Sequence, residues 1–211
     1  MIYRSAVTVI EAADSYDLAT IEAVKAYFNV PIVTDDPGDA RLQLLITLQS
    51  KAIADYCDRV FALEKVSEVI YTNVMGVAGD FPVPLSRWPV VEIDSVMRDT
   101  VGLNDYTVDA DSGVLFGSLS ADELTVTYTA GYELPFNAPG PLSLAVIDMV
   151  RQSFFYGSRD PMVQSMTDNS AGSIRFFPPP GISKGGGGSK GSPLSSTATA
   201  LVAPYRRPGM A

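Results

Sequence analysis

The chain has 211 residues, of which 46 % are hydrophobic, enough for one core of ordinary size and an extension. Its 24 acidic and 15 basic residues give a formal net charge of -9, which argues against a protein that binds nucleic acid by neutralising phosphates. Histidine is absent, and this removes Ser-His and Cys-His catalytic pairs together with the commonest zinc ligand.

Residues 1–62 predict a short strand followed by helices. Residues 5–11 alternate loosely, so residues 1–16 are expected to form a strand or arm. Apolar side chains recur at helical spacing over residues 17–28, with Asp17 as a candidate N-cap. They recur again in a second helix that should begin near residues 36–38 and reach Tyr56. Leu44 and Leu48 widen the apolar arc of this second helix beyond one core-facing stripe. We therefore expect these two leucines to contact a neighbouring subunit, and we assign residues 17–62 to a helical part.

Residues 63–134 predict a β-rich insertion, because the hydrophobic period shifts toward two and turn residues become frequent. Asp109 to Gly113 is expected to be a hairpin turn. Residues 135–158 predict a last helix that completes the bundle. This helix is so apolar that its own fold or another subunit should cover it on several sides. Only Asp148, Arg151 and Gln152 form a polar stripe on it. The candidate strands are residues 69–74, 81–85, 92–98, 106–109, 114–116 and 124–128.

The last segment, residues 159–211, has the composition of an extended C-terminal tail. It is rich in Gly, Ser, Thr and Pro and cannot build a core of its own. Apolar clusters interrupt it, and such residue types dominate interface energetics. Deletion of everything after Arg159 is therefore expected to leave a folded domain that has lost a partner. The candidate partner-binding residues are Phe176, Phe177, Leu201, Tyr205, Arg206 and Arg207.

No motif in the chain predicts catalysis, a metal site or a cofactor. The carboxylates of Asp35, Asp36 and Asp39 are better explained by a helix N-terminus than by a cation site. The glycine run before Lys190 lacks the order of a phosphate-binding loop and is interpreted as a spacer. Cys57 cannot form an internal disulfide and is expected to be a small buried residue. No run of apolar residues is long enough to span a membrane, and a soluble protein made in a cytoplasm is expected.

Six segments of the chain follow a known pattern in their order and spacing: residues 18–28, 42–59, 85–96, 106–113, 126–132 and 200–206. Each segment consists of packing and turn residues, so it is their order and spacing that make the pattern specific. In this pattern the chain resembles the head-tail connector (adaptor) proteins of long-tailed bacteriophages. The similarity extends over nearly the whole chain, and the departure is a Pro- and Gly-rich insertion between Arg159 and Ala200.

The resemblance implies an α+β fold, a small helical bundle with a β-rich insertion and a long C-terminal arm. It implies a structural protein of the virion neck, assembled as a ring, usually of twelve copies, beneath the portal. Such a ring lines the DNA channel and presents a surface to the next neck protein, a stopper or tail terminator, while its C-terminal segment reaches the portal. On this reading the six tail residues bind the portal, and DNA passes through the ring without specific binding.

Two other readings remain open. A different neck or tail-completion protein, such as a stopper, would show mainly β structure without paired helices before the insertion. An enzyme would have to use carboxylates as its acid and base. No pair of acids stands out by its spacing or by an apolar setting.

Overall fold

The computed structural model describes residues 3–29, 38–72, 82–117, 119, 123–156, 165–168, 172–175 and 194–207. Helices and antiparallel sheets both occur, so the predicted α+β class is confirmed. The chain divides into two compact units. Residues 1–16 and 59–137 form a β-rich unit, and residues 17–58 and 138–211 form a helical unit. The first sixteen residues thus belong to the β-rich unit.

The strands of the β-rich unit are β1 (Tyr3–Glu11), β2 (Glu64–Thr72), β3 (Val83–Pro84), β4 (Val90–Arg98), β5 (Val101–Gly102), β6 (Tyr106–Asp109), β7 (Val114–Gly117) and β8 (Glu123–Ala130). They form a five-stranded antiparallel sheet in the order β1-β2-β8-β4-β5 and a three-stranded sheet in the order β3-β7-β6. The register pairs Val9 of β1 with Val66 of β2, and Val66 with Tyr128 of β8. The N-terminal strand therefore has a partner that the sequence did not reveal.

Strand β8 illustrates how the alternation of the sequence builds the core of this unit. Successive side chains point to opposite faces of a strand, so every second residue shares a face. The apolar set is buried and the threonines between are half-exposed. The buried residues are Leu124, Val126, Tyr128 and Ala130, and they pack in one cluster with Val66 and Ile70 of β2 and Val96 of β4.

The turn that joins β6 to β7 is the one predicted at Asp109 to Gly113. Gly113 has φ +66°, a conformation that favours glycine, and its N–H donates to the Asp109 carbonyl at 2.8 Å. The Ser112 hydroxyl donates to the Asp109 carboxylate at 2.6 Å, and this hydrogen bond holds the pKa of Asp109 below its usual range. The acid thus stabilises the turn, which accounts for its position without a metal.

Glu68 is fully buried in the β-rich unit and is surrounded by hydrogen-bond donors. Its carboxylate accepts bonds from the Ser86 N–H at 2.9 Å, from the Ser86 hydroxyl, and from the Tyr128 hydroxyl at 2.7 Å. The Tyr128 oxygen in turn accepts the Arg87 N–H at 3.2 Å. Burial, together with the neighbouring Glu68 carboxylate, raises the pKa of Tyr128 far above its usual range. This network fixes the loop between β3 and β4 to the sheet.

Substitution of Tyr128 by phenylalanine should lower the free energy of unfolding by about 1–3 kcal/mol, because it leaves the Arg87 N–H without its acceptor and Glu68 with one donor fewer. Urea denaturation measures the change. Tyr71→Phe is the matched control, since Tyr71 is 44 % exposed on β2, and its expected effect is within about 0.5 kcal/mol. Equal stabilities of the two variants would contradict the structural role of the network.

Three segments of the β-rich unit meet beside Gly131: residues 59–62, residues 88–89 and residues 131–132. We call these residues the Gly131 junction. The Gly131 N–H donates to the Pro89 carbonyl at 2.8 Å, and the Tyr132 N–H donates to the Phe61 carbonyl at 2.7 Å. The Arg59 guanidinium lies between two rings of the same junction, 4.7 Å from the centroid of Phe61 and 4.0 Å from that of Trp88.

The helical unit consists of α1 (Ile21–Tyr27), α2 (Asp39–Cys57), α3 (Gly140–Tyr156) and α4 (Ser196–Val202). Helix α1 starts later than predicted, because Thr20 rather than Asp17 accepts the capping bond from the Ala23 N–H. The Asp17 carboxylate instead accepts from the Gln43 side chain at 2.6 Å. Cys57 is buried, as expected.

Asp39, the one described member of the acidic trio, binds a lysine. Its carboxylate lies 2.5 Å from Nζ of Lys25, whose side chain is only 2 % exposed. A buried ammonium needs such a partner. The pair therefore links α1 to the start of α2, and Asp35 and Asp36 lie outside the described residues.

Helix α4 differs from the sequence prediction, which placed residues 159–211 in an extended tail. Residues 194–207 instead fold onto α2 and α3: Ser195 caps α4 and its hydroxyl also donates to Asp148 of α3 at 3.2 Å. Leu194, Ala198 and Val202 are buried. Asp148 of the predicted polar stripe of α3 is thus a contact of the α4 N-cap. A second structured piece is an antiparallel hairpin of β9 (Ser165–Asp168) and β10 (Gly172–Arg175).

Candidate assembly surfaces

The outer face of α2 presents two leucines to solvent. Leu44 is 59 % exposed and Leu48 is 53 % exposed, whereas Leu42 and Ile46 on the inner face are buried. Arg41 and Lys51 stand three residues before Leu44 and three residues after Leu48, so the four side chains follow one stripe of the helix. We call this stripe the α2 face. Its leucines are the predicted subunit contacts, and their exposure leaves them available to a second molecule.

The candidate tail residues at the end of the chain lie in or beside α4. Leu201 is half-buried on α4, and Tyr205 ends the single 3-10 turn that follows, Ala203–Tyr205. The exposed Arg206 guanidinium lies 5.4 Å from the ring centroid of Tyr56 on α2. The backbone N–H of Arg207 donates to the Cys57 carbonyl at 2.9 Å. These four residues therefore have contacts within their own helical unit.

The two tail phenylalanines, Phe176 and Phe177, lie outside the described residues, and so does the glycine run before Lys190. The other four candidate portal-binding residues are neighbours along the chain, within residues 201–207. Their assignment to a portal contact stays a prediction.

Sequence reasoning missed the most exposed large apolar side chain of the described residues. Phe136 is 81 % exposed in the turn between β8 and α3. Residues on both sides of Phe136 fix the turn. Before it, Leu134 is buried. After it, Asn137 donates its backbone N–H to the Glu133 carbonyl and its side-chain amide to the Glu133 carboxylate, each at 2.9 Å. The sequence signal was a phenylalanine between Pro135 and Asn137, in a context that otherwise has turn composition.

Exposed carboxylates of the β-rich unit lie both at its turns and within its strands. Asp99 follows β4, where its side chain accepts the Glu123 N–H at 3.0 Å. Asp109 ends β6 and Asp111 lies in the turn that follows, and both are exposed. Other exposed acids lie within strands, at Glu11 of β1, at Glu92 and Asp94 of β4 and at Glu123 of β8.

Neither a metal site nor a membrane span is present in the described part of the chain. Its His, Cys, Asp and Glu side chains form no group of three or more that could hold a metal ion. None of its helices combines the length and the apolar character that crossing a membrane requires.

Comparisons with known proteins identify the fold. Neither a protein-family model nor a curated protein matches the sequence. Among solved structures, a chain in the neck of an empty gene transfer agent (GTA) particle, computed with C6 symmetry, superimposes with a TM-score of 0.55 and 13 % identity. The match covers 98 % of this chain and 97 % of that one. A chain from the virion of a native GTA particle matches with a TM-score of 0.52, 11 % identity and 97 % coverage of both chains. This chain therefore has the fold of a chain found in the neck of a phage-like particle.

Proposed function

We propose that this chain is a structural protein of a phage-like neck, an adaptor that forms a ring between the portal and the next neck protein. The observation that carries the proposal is the fold match to a neck chain, which extends over nearly the full length of both proteins. A shared short motif would give much weaker support. The paired helices α1 and α2, which precede most of the β-rich unit, also favour an adaptor over a stopper.

The number of copies in the proposed ring is twelve. The similar neck was computed with C6 symmetry, and a ring of twelve copies contains that six-fold axis. The α2 face supplies an exposed apolar surface of the kind that subunit contacts need.

The proposed ring surrounds the channel through which the genome passes. A net charge of -9 suits this role, because a negative wall repels DNA phosphates and lets the duplex slide. The exposed acids at the turns of the β-rich unit are candidates for that wall.

Contact with the portal is proposed for the C-terminal part of the chain. Aromatic and arginine side chains are common anchors at protein interfaces. Arg206 is exposed beside α4, in a position to contribute to such a contact. The proposed residues remain Phe176, Phe177, Leu201, Tyr205, Arg206 and Arg207.

Cryo-electron microscopy of purified necks tests the proposed function. The expected result is a closed ring of this chain in direct contact with the portal, with α2 at the boundary between copies. A ring of this chain separated from the portal by another protein would instead indicate a stopper. Absence of the chain from the neck would reject both assignments.

Replacement of both Leu44 and Leu48 by serine should remove the chain from particles without unfolding it. The two positions are exposed, so we expect the free energy of unfolding to change by less than about 1 kcal/mol for the pair. Loss of two apolar anchors from a subunit contact should reduce the copies per particle about tenfold or more. Quantitative mass spectrometry of purified particles measures that number.

The matched control for the leucine variant is Val101→Ser, because Val101 is 62 % exposed on β5 of the other unit. We expect this variant to be incorporated at the normal level. Normal incorporation of the leucine variant would remove the α2 face from the proposed ring contact.

A further inference from the structure

A ring of more than two copies needs two different surfaces on each copy. In a cyclic ring each contact is head-to-tail, so a patch on one copy meets a different patch on the next; a patch that meets itself closes only a dimer. The α2 face can therefore supply just one side of the contact. This conclusion rests on the proposed function, which supplies the ring. A different surface of the neighbouring copy must then cover Leu44 and Leu48.

Phe136 has the properties of the second surface. It is 81 % exposed, which is a higher fraction than either leucine of the α2 face shows. Its turn is fixed by the two bonds between Glu133 and Asn137 and by the buried Leu134, so little conformational freedom remains to be lost on binding. A phenylalanine side chain can bury about 150–250 Å². A rigid, exposed aromatic ring of this kind is a common interface anchor.

The charges around the two patches are complementary. Arg41 and Lys51 bracket the leucines of the α2 face. The Lys51 ammonium lies 3.4 Å from the Asp55 carboxylate on the same helix, so Arg41 is the cation that can face an acid of the next copy. The exposed carboxylate of Glu133 stands three residues before Phe136, in the same turn. Opposite charges on facing patches favour this pairing over contact between two copies of the basic α2 face, where like charges would meet.

We propose that Phe136 of one copy packs on Leu44 and Leu48 of the next copy, with Glu133 facing Arg41. The aromatic ring covers the pair of leucines, and the charged side chains form the rim of the contact. Repetition of this one contact around the axis closes the ring.

Cross-linking in assembled particles tests the contact, and the chain is well suited to it. Cys57 is its single cysteine and is fully buried, so introduced cysteines are the reactive ones. Lys51→Cys and Gly140→Cys flank the proposed contact and keep the three apolar side chains, Arg41 and both bonds between Glu133 and Asn137; Gly140 is exposed, and a Cβ there meets nothing within 4 Å. A short bismaleimide is added to intact particles, since it tolerates a wider sulfur separation than a disulfide does. The products are separated by denaturing electrophoresis and identified with an antibody to the chain.

The expected result is a ladder of covalent multimers that extends past the dimer, formed only when both cysteines are present in one chain. Each single variant should stay monomeric, because identical patches do not meet. Addition of Phe136→Ser to the double variant should reduce the ladder at least about tenfold relative to the amount of incorporated chain. Lys51→Cys combined with Val101→Cys is the matched control and should give no ladder.

Four results would overturn the contact: dimers from a single variant, an adduct with a different neck protein, a monomer with an internal cross-link only, or no cross-link. These results differ from a failure of the proposed function. In that case imaging would find no ring of this chain at the portal, and the unmodified chain would be missing from the neck. A ring without the ladder leaves the adaptor role standing and rejects Phe136.

Discussion

Replacement of Gly131 by alanine should lower the free energy of unfolding by roughly 2–6 kcal/mol. The alanine would strain the backbone, and its Cβ would overlap neighbouring backbone atoms that cannot move aside. Gly131 has φ +115°, where residues with a side chain are strained. An added Cβ would overlap the Ala62 carbonyl oxygen, and it would lie 2.6 Å from the Ala62 carbonyl carbon and 2.9 Å from the Phe61 oxygen. These are backbone atoms, so no side chain can rotate away.

The expected consequence of Gly131→Ala is the opening of the Gly131 junction. The Tyr132 N–H donates to the Phe61 carbonyl and the Leu63 N–H donates to the Tyr132 carbonyl, so movement of residues 61–62 would weaken both bonds. Urea denaturation measures the loss of stability. Gly102→Ala is the matched control, since a Cβ there meets nothing within 4 Å, and we expect a change within about 1 kcal/mol. A Gly131→Ala protein as stable as the Gly102→Ala protein would contradict the described backbone approach.

Deletion of residues 194–211 should destabilise the helical unit by about 3–6 kcal/mol, because the deletion removes two large buried side chains, each worth about 1.5–3 kcal/mol. Those side chains are Leu194 and Val202. The deletion also exposes Cys57, whose sulfur lies 3.9 Å from the Val202 carbonyl oxygen. We therefore expect that removal of everything after Arg159 would destabilise the helical unit, contrary to the prediction made from the sequence.

The matched control is a shorter deletion, of residues 208–211, which keeps every described residue of α4 and of the 3-10 turn. Thermal unfolding and the rate of modification of Cys57 by a thiol reagent are measured for both deletions. Fast modification is expected only for the longer deletion. Two deletions with the same melting temperature and the same thiol reactivity would show that α4 does not support the core.

The sequence predicted the long periodic elements well. Helix α2 was expected to begin near residues 36–38 and to reach Tyr56, and it lies at Asp39–Cys57. Helix α3, Gly140–Tyr156, lies within the residues predicted for it, 135–158. Both helices repeat apolar residues over several turns, which makes their period readable. The turn at Asp109 to Gly113 was also predictable, because its residues favour that geometry wherever it occurs.

Helix α4 could not be predicted, since its residues Ser196–Val202 are mostly small or hydroxylated and too few for an independent helix. It is stable through packing on α2 and α3. Strand β5, two residues long, was missed because so short a run has no readable period. For the assembly surfaces, Leu44 and Leu48 were identified from helical spacing, whereas the exposure of Phe136 depends on a turn that the sequence pattern does not specify.

The division of the chain into two interleaved units sets an order for folding during synthesis. Residues 1–16 and 59–137 supply the β-rich unit, so this unit is complete once the first two-thirds of the chain has left the ribosome. The helical unit must wait for α3 and then for α4, both of which are made after the β-rich unit. Domains generally fold as units during translation. We therefore expect the β-rich unit to fold first, and the core beneath α2 to close only after α4 has been made.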